Sequence, residues 1–112
     1  MPEEEEVARK LHRIKRRDED GGQTLGWMIF CPGCRQYHAI YTEERNDCGA
    51  QWSFNGDVDH PTFSPSLKVT WTYGEQHEQH CCHSFIRDGN IEFLGDCTHE
   101  LAGQIVPLPE WI

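Results

Sequence analysis

Cys31-Pro-Gly-Cys34 is the residue set most able to do chemistry in this chain. Two cysteines two residues apart, with a glycine to allow the bend, form a knuckle that aims both sulfurs at one ion. A structural zinc site takes about four ligands. Cys81, Cys82, His83, Cys97, His99 and His38 are the candidates for the rest. Ser84 to Leu94 reads as a hairpin turning at Asp88-Gly89, which brings Cys82 and Cys97 side by side at its open end. The expected set is therefore Cys31, Cys34, Cys82 and Cys97 on one Zn2+. His38, four residues beyond Cys34, is the alternative to one of the cysteines, and His83 is a further one. Four thiolates would close the site, so a hydrolytic zinc with an open position ranks lower. A thioredoxin-type redox pair needs a helix starting at the motif. Residues 35–41 read as strand instead. Cys48 reads as a free thiol in a polar loop, and His77 and His80 as solvated residues of the polar loop 74–80.

A second constellation centres on Pro61-Thr-Phe-Ser-Pro-Ser66, a segment stiffened by two prolines and carrying three hydroxyls. Its bland use is to make turn hydrogen bonds. Its sharper use is a serine nucleophile, which needs a base in reach and a third group to orient that base. His83 and His99 are the available bases, and Asp96 is an available orienter. On a strand, Cys82 and His83 point to opposite faces. If Cys82 faces a metal, His83 is free for other work.

These residues must be positioned by short strands. Leu25 to Phe30 is a compact aromatic-aliphatic run, Tyr37 to Tyr41 is a second short run, and Gln51 to Phe54 leads into the turn dipeptide Asn55-Gly56. Leu67 to Tyr73 alternates apolar and polar residues in the period-2 pattern of a half-buried strand. Ile105 to Leu108 is a last short strand, and Glu100 to Gly103 is compatible with one helical turn. Residues 1–24 stand apart as a charged arm: Glu3 to Glu6, then a basic cluster, then acids, ended by Gly21-Gly22. Val7, Leu11 and Ile14 recur at helical spacing. The expectation is a mainly β fold: one small domain over 25–112, stapled by zinc, with an N-terminal helical or partly disordered arm.

Composition limits the functions. At 112 residues the core is small, so a stabilising metal is expected. A formal net charge of −9 opposes generic binding to nucleic acid or an anionic membrane. No apolar run is long enough to span a bilayer, and the acidic N-terminus has the wrong sign for a secretory signal. The reading is a cytoplasmic protein with reduced thiols, which favours metal ligands over disulfides. A mature secreted chain whose signal was removed is the alternative.

Taken together, the islands resemble a family of small, uncharacterised-domain proteins of bacteria and phages. The shared pieces are Cys31-Pro-Gly-Cys34, Asn55-Gly56, Pro61-Thr62 with Pro65-Ser66, Cys82-His83, Asp88-Gly89 and Asp96-Cys-Thr-His-Glu-Leu-Ala-Gly103. The resemblance covers roughly 25–111 and leaves the acidic arm outside. Some relatives are encoded in bacterial ubiquitin-like conjugation operons, where they are thought to act as peptidases on the ubiquitin-like protein. The resemblance thus implies a serine-type hydrolase with Ser66 as nucleophile, His83 or His99 as base and Asp96 orienting, and a ubiquitin-like or other protein as partner. A monooxygenase label carried by phage members is set aside, because no copper or iron oxygenase constellation is present. The competing class is a non-catalytic, zinc-ribbon-like interaction module of phage or bacterial origin.

Overall fold

Tight turns between strands set the topology of the chain. The computed structural model describes residues 10–16 and 22–110, and residues 2–8 by their backbone. The strands are β1 (Pro2–Ala8), β2 (Leu11–Arg16), β3 (Thr24–Cys31), β4 (Gln36–Tyr41), β5 (Ser53–Phe54), β6 (Phe63–Tyr73), β7 (Glu78–Arg87), β8 (Asn90–Phe93) and β9 (Ile105–Pro107). They form two antiparallel sheets in sequential order, β1 to β4 and β5 to β9. Ile29 and Ile40 from the first sheet meet Leu67, Ile86, Ile91 and Phe93 from the second in one buried cluster. Trp27, Phe54 and Phe63 continue that contact as a chain of rings, each 4.9 Å from the next. No helix among the described residues is long and apolar enough to cross a membrane.

Among the described residues the expected N-terminal helix is not formed. β1 pairs with β2, and β2 pairs with β3 across the boundary expected at residue 24. Leu11 is fully buried in the shared cluster and Ile14 is buried outside it. Their helical spacing arises inside a strand whose register shifts between Ile14 and Lys15. Three apolar positions are too few to stabilise a helix by packing, whereas pairing with β3 extends an existing sheet. The charges at 17–20 and the Gly21 break lie outside the described residues.

Three further elements differ from the sequence reading. Residues 78–80 of the expected polar loop 74–80 are strand: β7 begins at Glu78 and pairs with β6 as far as Tyr73. Polar residues on both faces hid it, and stacking of His80 on Trp71, ring centres 5.5 Å apart, helps hold it. Asn55-Gly56 opens a longer loop rather than a two-residue hairpin, closed by Asn55 N–H donating to Thr62 O at 3.1 Å. Residues 99–104 form successive short turns instead of an α-helical one.

The β7–β8 hairpin follows the sequence. Arg87 pairs with Asn90, leaving Asp88 and Gly89 at φ 50° and 79° as a two-residue turn. A Cβ on Gly89 would sit 3.4 Å from His60 Cα. Gly89→Val should destabilise the fold by about 1–3 kcal/mol, because a β-branched residue resists positive φ. Urea denaturation measures this as a lower midpoint at similar slope, and an unchanged midpoint would contradict the turn.

Candidate functional site

β6 carries the irregularity that builds the site. Phe63 pairs with Ile86 and Leu67 with Ser84, so Ser64, Pro65 and Ser66 together face the single residue Phe85. This bulge is held at four points. Gly89 N–H donates to Pro61 O at 3.0 Å, and Asp88 N–H donates to Thr62 Oγ1 at 2.8 Å. The Ser53 hydroxyl donates to Ser64 O at 3.3 Å, and the Trp52 indole N–H donates to Ser66 O at 3.2 Å. The rigid segment of the sequence thus becomes a pinned one.

The bulge brings Ser66 level with the next outward-facing residues of β7. Ser66 Oγ lies 3.0 Å from His83 Nε2, and His83 Nδ1 lies 3.0 Å from Asp96 Oδ2. In the neutral tautomer that carries its hydrogen on Nδ1, that N–H donates to the Asp96 carboxylate and Nε2 is the acceptor facing the hydroxyl. The His83 hydrogen bond, helped by the charge of Lys68, holds the Asp96 carboxyl below its usual range. Stability from this pair is therefore present above the ordinary carboxyl range and is lost as pH falls through the depressed value. The side chains of His83 and Asp96 remain 22% and 48% exposed, so the set can be reached from solvent.

Asp96 is delivered by a loop that runs along β7 where β8 ends. Leu94 N–H donates to His83 O and Thr98 N–H donates to Cys81 O, each at 2.9 Å. The Thr98 hydroxyl accepts from Cys81 N–H at 3.0 Å, and Cys97 Sγ accepts from His83 N–H at 3.2 Å. Nothing in the sequence pattern marked Thr98 or Trp52 as positioning residues, since each acts through the backbone of a distant partner.

On the inner face of β7 a second group forms. Cys31, Cys34, His38 and Cys82 offer ligand atoms that lie within 4.8 Å of one another, and Cys82, Cys97 and His99 do the same. The Cys31 and Cys82 sulfurs are 3.8 Å apart. Two Zn–S bonds of about 2.3 Å at a tetrahedral angle would set their sulfurs that far apart. Cys34 N–H donates to Cys31 Sγ at 3.4 Å, the bond expected of a knuckle. His38 Nε2 is buried with no hydrogen-bond partner, as an imidazole aimed at a metal position would be. The shared hydrogen with Cys82 lowers the Cys31 thiol to about 4. Burial and the neighbouring Cys31 raise Cys34 to about 12, and Cys31 likewise pushes Cys82 upward. One thiolate among crowded thiols favours a cation that would displace the remaining protons. The cluster is compatible with zinc.

The expected ligands Cys31, Cys34 and Cys82 thus fall in the group of four, and His38 completes it. Cys97 belongs to the second group, with its sulfur also engaged by the His83 backbone. Its partner there, His99, is the other histidine considered as base. The His99 ring packs where a Cβ on Gly33 would come within 2.6 Å, and edge-on to Phe93 at 4.5 Å. His99 Nδ1 accepts from Leu101 N–H at 3.2 Å, so the structure joins Ser66 to His83 and not to His99. Cys81 is in neither metal group. His80 is not simply solvated, as its Nε2 is buried without a hydrogen-bond partner, 4.0 Å from Glu78 Oε2.

Thr98→Val removes the acceptor for Cys81 N–H and frees the Asp96 loop. It should cost about 1 kcal/mol, read as a lower urea midpoint. An unchanged midpoint would show that the loop is held by other means.

A family model described as bacterial ubiquitination-like system serine protease (BubE) matches residues 1–94. The match contains Ser66, His83 and the group of four, and Asp96 lies just beyond its end. It starts at residue 1, so the N-terminal strands, expected to fall outside the resemblance, are inside it. Searches of curated proteins and of solved structures returned no match.

Proposed function

The chain belongs to the BubE family of bacterial ubiquitination-like system serine proteases, and from that premise we propose that it is a serine-type peptidase or isopeptidase acting on a ubiquitin-like protein. The observation that carries this reading is the pair of 3.0 Å contacts running Ser66–His83–Asp96. In this reading Ser66 Oγ gives its proton to His83 Nε2 and attacks the carbonyl carbon. Asp96 keeps the ring in the tautomer that can accept and stabilises the imidazolium. The imidazolium then returns the proton to the departing amine, and water, deprotonated by the same nitrogen, releases the acyl group.

Zinc is proposed at Cys31, Cys34, Cys82 and His38 as a structural clamp. Its chemistry when bound is to hold thiolates from β3 and β7 and the imidazole of β4 at one point. Because His83 follows Cys82 on β7, fixing Cys82 inward fixes the base outward.

Cleavage of a ubiquitin-like fusion tests the peptidase reading. Ser66→Ala should lose about a thousandfold or more in turnover at unchanged thermal stability. Equal rates for Ser66→Ala and the unaltered protein would rule out the serine mechanism, and no cleavage by the unaltered protein would favour the interaction module. Elemental analysis tests the clamp: one zinc per chain is expected, and Cys82→Ser should leave the protein unfolded or insoluble. A folded, metal-free preparation would refute it.

A further inference from the structure

Hydrogen-bond parity along β7 defines which backbone groups of β6 are free. His83 O and Cys81 O accept from Leu94 N–H and Thr98 N–H, so the backbone groups of these two residues face the 94–98 loop. Alternation turns those of His80, Cys82 and Ser84 toward β6. Their partners Trp71, Val69 and Leu67 therefore form the hydrogen-bonded pairs. The N–H and C=O groups of Lys68, Thr70 and Thr72 point the other way, off the open edge of the sheet.

Among the described residues no strand covers that edge. β5 pairs with β6 only at Phe63 and Ser64. The Trp52 indole takes Ser66 O, and from Lys68 onward Lys68, Thr70 and Thr72 are all exposed. An open edge rich in β-branched residues is a template for one more strand. Here the template starts beside Ser66. It also lies on the side of Ser66 away from His83, because the base sits on β7. The hydroxyl gives its proton toward β7 and faces an incoming carbonyl on the edge side.

We propose that the substrate binds as an extended peptide added to the β6 edge at Lys68, Thr70 and Thr72, which places its scissile carbonyl at Ser66. The occupant is a flexible tail read through its main chain, because the free partners at this edge are backbone groups. The identity of that tail as substrate rests on the peptidase reading; the geometry of the edge does not. The charge of Lys68 on this edge disfavours pairing with a second copy of the chain.

The test uses the folded Ser66→Ala protein, so that binding is read without turnover. The probe is a fluorescein-labelled short peptide spanning the C-terminal tail of a bacterial ubiquitin-like protein, with single backbone N-methyl groups placed at successive positions. Binding by fluorescence anisotropy should weaken about tenfold at every second position and stay near the parent value between them, since each effective methyl removes one main-chain hydrogen bond. Adding Thr70→Pro should weaken the parent peptide similarly while leaving zinc content and melting unchanged, because Thr70 N–H makes no ladder bond to β7. A flat methylation profile, no binding, or an alternating profile untouched by Thr70→Pro would each overturn the proposal. So would a dimer that Thr70→Pro dissociates, which would give the edge to a second copy. Cleavage with a flat profile would leave the peptidase reading standing and remove only this one; alternation without cleavage in the unaltered protein would do the reverse.

Discussion

Strand alternation at Cys82–His83 is the constraint from which the rest of the molecule follows. Successive side chains on a strand must point to opposite faces. Cys82 therefore enters the interior between the sheets, 3.8 Å from Cys31, while His83 stands on the outer face, 3.0 Å from Ser66. A one-residue slip of β7 would exchange the two and destroy both groups at once. Much of the surrounding structure resists that slip. β6 pairs along one edge of β7, and the 94–98 loop grips the other through Leu94, Cys97 and Thr98.

A chain of this size has little apolar material with which to enforce such a register. The interior between the sheets also holds polar atoms that lack partners, among them His38 Nε2 and His99 Nε2. Buried polar groups without partners destabilise a core unless something satisfies them. A cation at the cysteine–histidine group would satisfy His38 and cross-link β3 and β4 to β7. The outer face needs no such help: His83 and Asp96 satisfy each other, and the bulge is tied down by Trp52, Ser53, Asp88 and Gly89. The cysteine–histidine group and the Ser66–His83–Asp96 set thus divide the two faces of one strand.

What the sequence disclosed followed the range of the interactions. Cys31-Pro-Gly-Cys34 and Asp88-Gly89 are local devices whose geometry is written in adjacent residues, and both fold as expected. The inward–outward split of Cys82 and His83 was also readable from alternation alone. The N-terminal strands were not, because Leu11 and Ile14 mimic helical spacing where the β2 register shifts. The first half of β7 was missed because Glu78 to Cys81 carries no apolar alternation. Nor did any local pattern announce that three residues of β6 would face Phe85 alone. That bulge is a tertiary compromise, and it selects His83 over His99 as the neighbour of Ser66. His38 in place of Cys97 in the group of four has the same origin. Its strand pairing, Ile29 opposite His38, decides which way the imidazole points.

The central claim is that this small two-sheet frame makes Ser66 a nucleophile. Covalent labelling with a fluorophosphonate reads that property without any knowledge of the substrate. The account predicts a single adduct, located on Ser66 by peptide mass spectrometry and lost in His83→Ala protein that retains its fold. An adduct on another residue, or none on the folded, zinc-loaded protein, would contradict it.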